Sequence, residues 1–208
     1  VTVRDLDVFL PKILPSAMGV SEPTALDAVR DTIAEFCKRT RLWRFDEEFD
    51  VSTADSQAIA APYGALLLDI ERVNFNGCKL DPTSTQWLDS HVCDWRTADP
   101  SGNPKWYTQT TPGTITLVPA AAGTVRVWAT LQLSQDAEQA PDFIADEHRE
   151  TIAHGALGRI LMLPGKPYSN PSLAQARQAL FERDIDGLKS KVIRGQQRAS
   201  VGSRAQFL

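Results

Sequence analysis

The chain has 208 residues, 42% of them hydrophobic and 23% charged, which is the composition of a folded globular protein. That length carries one domain, or one domain with a sizeable insertion, and no apolar run approaches the roughly 18 to 20 residues that span a bilayer. The formal net charge is −4, yet the segment Leu188 to Leu208 holds Lys189, Lys191, Arg194, Arg198 and Arg204 and no acid, leaving about −9 on the remainder.

The first fourteen residues mix Arg4, Asp5, Asp7 and Lys12 with apolar side chains and lack the layout of a secretory signal. Leu6 to Ile13 reads as a short helix, interrupted by Pro11 and ended by Pro15. A longer helix opens at Ser21, a good N-cap, with Glu22 and Pro23 in its first turn. Leu26, Val29, Ile33, Phe36 and Cys37 recur at helical spacing and form one apolar stripe that fades near Trp43.

From Phe45 to about Gln135 the period becomes two. Leu66, Leu68 and Ile70 are expected on one face of a strand running towards Phe75. Asn76-Gly77 is a strong hairpin signal, because both residues tolerate positive φ, and Cys78 to Leu80 is the expected return strand. Asp99 to Pro104 reads as a loop. Ile115 and Leu117 alternate with Thr114 and Thr116, and Pro119 to Gly123 forms the next turn. Val125, Val127, Ala129, Leu131 and Leu133 then alternate strictly with Arg126, Trp128, Thr130 and Gln132. Trp128 on the polar face is either an inter-subunit contact or a ring packed within its own domain.

Pro141 is expected in the first turn of a third block. Phe143, Ile144, Ile152, Ala156, Ile160 and Leu163 share a stripe that also contains Gly155 and Gly158, small residues that admit a second helix closely. Pro164-Gly165 stops that helix, and Asn170 caps another whose apolar positions are Leu173, Ala176, Leu180, Ile185, Leu188 and Val192. The expected fold class is α+β: a helical bundle with a β-rich insertion between its N-terminal and C-terminal helices, and an extended C-terminal tail. The corresponding segments are 1–44 with 136–194 for the bundle, 45–135 for the insertion and 195–208 for the tail.

Catalytic patterns are weak throughout. Glu150 and His154 share a helix face, but His148-Arg149-Glu150 lacks the second histidine of a zinc-protease helix. Gly158 and Gly165 bracket six residues where a phosphate loop has four, and Pro167 stands where a magnesium-binding hydroxyl belongs. His91 and Cys93 share a face only if they lie on a strand. Three widely spaced cysteines, Cys37, Cys78 and Cys93, form no metal or redox motif and are expected as buried free thiols in a reducing cytosol. The acidic run Asp46, Glu47, Glu48 and Asp50 reads as a charge-protected strand edge, or as a surface that pairs with basic partners or repels DNA. No catalytic, cofactor or metal residue is assigned.

Several short signatures in order carry a resemblance. They are Ala28 to Cys37 with Thr40 and Trp43, then Asp69 to Val73, Asn76-Gly77 and Leu80 to Pro82. Trp95, Gly102 to Pro104, Trp106-Tyr107 and Ile115 to Pro119 follow. Ile152 to Leu157, Leu163 to Tyr168, Asn170-Pro171 and Leu173-Ala174 complete the series. From Leu6 to Leu188 the chain resembles the podovirus-type head-to-tail adaptors, the tail tubular protein A group, although Tyr168 stands where that family more often has Trp. The resemblance implies a virion protein of the neck or tail, made in the host bacterial cytoplasm, without catalytic residues. It implies a homo-oligomeric ring of twelve copies around a channel for double-stranded DNA, which passes without sequence-specific binding. One rim would meet the portal protein and the other a tail tube or nozzle protein. Arg194, Arg198, Arg204, Phe207 and Leu208 are the expected portal contacts, and Trp128 the inter-subunit candidate. A tail completion protein or stopper is the alternative, and a small carbohydrate-binding module a more distant one.

Overall fold

The computed structural model describes residues 2–52, 56–96 and 102–194, with side chains through Leu188. In chain order the elements are β1 (Val3–Asp5), α1 (Leu10–Ile13), α2 (Glu22–Thr40), β2 (Arg44–Val51), β3 (Gln57–Ala58), β4 (Ala65–Phe75), β5 (Cys78–Lys79) and β6 (Asp81–Pro82). They continue with α3 (Thr85–His91), β7 (Trp106–Thr108), β8 (Thr114–Val118), β9 (Gly123–Leu133), β10 (Gln139–Pro141), α4 (Asp142–Glu147), α5 (Arg149–Leu161) and α6 (Pro171–Arg194). The fold is mixed α+β. It divides into two compact units, Val1–Leu42 with Leu133–Leu208, and Trp43–Gln132.

In the first unit, α2 buries Val29, Ile33, Phe36 and Cys37, the stripe that its spacing predicts, with Leu26 half-buried at its start. Ser21 occupies the N-cap with extended φ and ψ, but its hydroxyl meets that of Thr24 at 2.7 Å instead of a backbone amide. The helix ends at Arg41, whose amide bonds the Cys37 carbonyl at 2.8 Å and whose positive φ then turns the chain away. Before α2, the expected short helix is three pieces, α1 between two 3-10 turns, because Pro11 and Pro15 each remove a backbone donor.

The helix expected from Pro141 is two helices. Pro141 ends β10, which pairs antiparallel with β1, and it caps α4. His148, at φ −123° and ψ 14°, then breaks the run before α5. The buried His148 ring lies 5.0 Å from the Phe36 ring, so the break seats the imidazole against α2.

Close packing of α2, α5 and α6 centres on Gly155. A methyl group there would stand 2.4 Å from Thr32 on α2 and 3.0 Å from the Phe181 ring on α6. At Gly158 the nearest α6 atom to such a methyl is Gln178 Oε1, at 3.0 Å. On α6 the buried residues are Ala174, Phe181 and Ile185; Ala176 is exposed and Leu180 only half-buried. The expected stripe is therefore out of phase at its start, because the bulk of Phe181, filling the space over Gly155, sets the rotation of α6. Around this core Arg39 binds Glu35 at 3.3 Å and also Glu182, while Arg159 reaches Glu35 at 2.6 Å and Asp31 at 3.7 Å. These half-exposed pairs link all three helices but each adds little to stability.

The second unit is two four-stranded sheets, ordered β2-β9-β4-β5 and β3-β8-β7-β6. One core joins them: Val51, Val73, Phe75, Val125, Val127 and Ala129 from the first sheet meet Tyr107, Ile115 and Leu117 from the second. Strand β9 carries the expected alternation except at Thr130, which is buried although it falls on the polar face, and it pairs with β2 without interruption from Arg44↔Thr130 to Val51↔Gly123. Asn76 and Gly77 take φ of 45° and 83° at the hairpin turn, and Leu80 donates to the Val73 carbonyl at 2.9 Å. On β4 the expected face does not hold. Leu66 is exposed, Leu67 and Ile70 pack partly on the core, and Val73 and Phe75 carry the buried face, so the strand changes phase along its length. Helix α3 interrupts the strand-rich stretch, started by Ser84, whose hydroxyl accepts from the Trp87 amide at 3.2 Å.

The two helical glycines of contrasting setting give a direct test. Gly155→Ala improves intrinsic helix propensity by about 1 kcal/mol but overpacks the junction, so a net loss of about 1–2 kcal/mol is expected. At Gly187 on α6 an added methyl meets nothing within 4 Å, so Gly187→Ala should gain about 0.5–1 kcal/mol. Thermal or urea unfolding of both variants measures the opposite signs.

Candidate interaction surfaces

On the outer face of the first sheet, Trp128 is half-buried between two guanidinium groups. Arg72 of β4 lies 5.2 Å from its ring and Arg126 of β9 lies 5.1 Å away. Both distances are those of cation–π contacts. Arg126 also donates to Asp46 at 2.7 Å and approaches Glu48 at 4.0 Å, which raises its pKa, chiefly through the Asp46 hydrogen bond. Asp46, Glu48 and Asp50 alternate on this face of β2, while Phe45 and Phe49 turn to the core. The acidic run is thus an edge strand with charge on its solvent side. Glu47, on the opposite parity, accepts the Ala60 amide at 3.0 Å. Together these residues make an aromatic and ionic patch of mixed sign. Arg72 was not singled out by the sequence; its place beside Trp128 depends on the β9-β4 pairing, which no local pattern encodes.

Of the remaining expected site residues, Arg194 ends α6, and Arg198, Arg204, Phe207 and Leu208 lie outside the described residues.

The histidines form no catalytic arrangement among the described residues. His154 accepts from Arg177 at 3.2 Å through Nδ1, which fixes the neutral ring with its proton on Nε2. Burial, followed by the Arg177 charge, holds its pKa below the ordinary histidine range. Glu150, expected as its partner, is bound by Lys12, and that hydrogen bond leads the lowering of its pKa. His91 ends α3, stacked on Trp87 at 4.5 Å, with Nδ1 3.0 Å from the Trp87 carbonyl. Because His91 is helical and Cys93 follows the helix, the two do not share a strand face. Beside them Asp89 accepts from Trp95 at 2.8 Å and from Arg96 at 3.1 Å. No group of three metal-ligating side chains occurs among the described residues, and none of the described helices is long and apolar enough to cross a membrane.

The cysteines differ from expectation. Cys37 is buried, but Cys78 is exposed on the two-residue strand β5 and Cys93 is exposed beyond α3. Both flank turns where too little chain converges to cover a side chain. Burial pushes the Cys37 thiol up to about 12, so it is not a nucleophile at neutral pH. A thiol reagent should therefore label two cysteines in the native protein within minutes and the third only on unfolding. Mass spectrometry of labelled peptides identifies which.

A family model for the SU10 adaptor protein matches residues 4–206. No curated protein matches the chain. The match runs through both compact units, the Trp128 face included, and covers nearly the whole sequence. The chain therefore belongs to the SU10 adaptor protein family and is a structural adaptor of the phage neck, one that works in contact with other head and tail proteins.

Proposed function

We propose that the chain is a head-to-tail adaptor of the podovirus type, of the tail tubular protein A group, assembled as a ring of twelve copies beneath the portal. The family match over residues 4–206 is the observation that carries this reading. The packing of α2, α5 and α6 supports an adaptor fold in which segments 1–44 and 136–194 form a discontinuous bundle and 45–135 an inserted β domain. The segment 195–208 is then an extended tail. In the ring, Trp128 contacts a neighbouring copy, offering an aromatic ring flanked by Arg72 and Arg126. The acid-free C-terminal segment orders on the portal through Arg194, Arg198, Arg204, Phe207 and Leu208, gaining affinity by folding as it binds. The other rim receives the tail tube or nozzle protein. Double-stranded DNA passes through the channel without sequence-specific contacts. The work done is assembly, not catalysis.

Negative-stain imaging of the protein mixed with the portal ring of the same virus tests this reading. A second ring stacked coaxially on the portal is expected, and bare portal rings beside folded protein would assign the chain to a more distal neck or tail position. Deleting Gln196 to Leu208 should leave circular dichroism unchanged and abolish portal binding; retained binding would remove the tail from the contact. Trp128→Ala should weaken self-association by about tenfold or more, the ~1.4 kcal/mol or greater that an aromatic interface anchor contributes, with the subunit still folded. Analytical ultracentrifugation reads that change.

A further inference from the structure

The two edges of the first sheet are finished differently, with β2 along one and β4, ahead of its pairing with β5, along part of the other. Strand β2 has charge along its solvent side, a device that discourages further pairing. Strand β4 does not. After Val73 it pairs with β5, at Asn74 and Phe75, but before Val73 it has β9 on one side and no strand among the described residues on the other. The sequence of that stretch begins Ala65-Leu-Leu-Leu, with Leu66 47% exposed, and Tyr63 in the preceding turn is 94% exposed. An apolar, accessible strand edge is a template for one more strand.

Open space lies beside the middle of that stretch, from Leu67 to Ile70. Two adjoining cavities of about 470 and 340 Å³ run beside β4, sharing Asp69 and Gln109 in their walls. The far wall is the chain after β7, from Gln109 to Gly113. Asp69 is the one charged residue among those lining either cavity. The whole unit from 43 to 132 has six Lys and Arg against eleven Asp and Glu. The Asp69 charge reaches into the cleft, where it adds to burial in raising the Tyr107 phenol pKa. A cleft along a strand edge suits an extended chain, and the acidic balance of the unit favours a basic one.

We propose that the β4 cleft is a strand-acceptor site, taking about seven residues of an extended, basic segment of another polypeptide by backbone pairing along β4. At about 3.3 Å per residue such a segment spans the edge from Ala65 to Arg72. Only Arg72, at its end, is shared with the Trp128 face, and the site stands whether or not the chain occupies the portal-proximal position.

The test uses the full chain and capped eight-residue peptides, with amide hydrogen exchange as readout. A peptide alternating Lys and Val should slow exchange of those amides between Leu66 and Arg72 that face away from β9 at least tenfold at saturation. Its Glu-Val counterpart, and a Lys-Val peptide N-methylated at alternate backbone nitrogens, should not. Leu66→Lys, a change at an exposed position, should weaken the Lys-Val peptide at least tenfold without loss of fold. Equal protection by the N-methylated peptide, protection mapping elsewhere, or no binding would overturn the proposal. So would protection of the same amides by maltoheptaose in place of the peptide, which would make the cleft a glycan site.

Discussion

Thr32, Gly155 and Phe181 meet where α2, α5 and α6 come together, with no room at the glycine for even a methyl group. The remaining features of the helical unit follow from that approach. It brings Arg39 and Arg159 within reach of acids on neighbouring helices, and it fixes which side of α6 faces inward. Glycine in a helix interior is unfavourable in isolation, so its presence at position 155 reflects packing prevailing over local propensity. A phenyl ring against the backbone of α5 supplies dispersion contacts that a methyl group would displace.

The β unit is built on a different constraint. Its core is a shared apolar layer between two sheets, and β9, hydrogen-bonded to β2 on one side and β4 on the other, holds the first sheet together. Because side chains alternate along β9, the same strand that fills the core with Val125, Val127 and Ala129 presents Trp128 outward. Core and surface are thus set by one register. A slip by one residue would put Trp128 into the core and expose the valines.

Elements with several turns of consistent pattern were legible in the sequence: α2, β9, the Asn76-Gly77 turn and the Asn170 cap, whose side chain accepts the Leu173 amide at 3.1 Å. What escaped was held by contacts between distant segments. β1 is three residues long and exists because β10 lies beside it. The break at His148 is set by Phe36 on another helix, and the phase of α6 by Gly155. Strand β4 runs Leu66-Leu67-Leu68, so local periodicity cannot choose its inner face. Trp128 stood out as a large aromatic among polar neighbours, but Arg72 did not, and neither did the cleft, whose walls are far apart in sequence. Helix α3 carries a readable signal in Ser84, masked by the strand patterns that surround it.

The pairing of β2 with β9 also bears on how the chain tolerates a long excursion. The segment Trp43–Gln132 leaves and re-enters through strands that are hydrogen-bonded neighbours, and the Leu131 amide donates to the Trp43 carbonyl at 2.8 Å. Once that unit has folded, its two ends are clamped together. The helical unit then needs to close only a short gap, where a disordered loop of about ninety residues would cost about 4 kcal/mol of closure entropy. Changes of length inside the β unit therefore leave unchanged the gap that the helical unit must close, as long as the clamp survives.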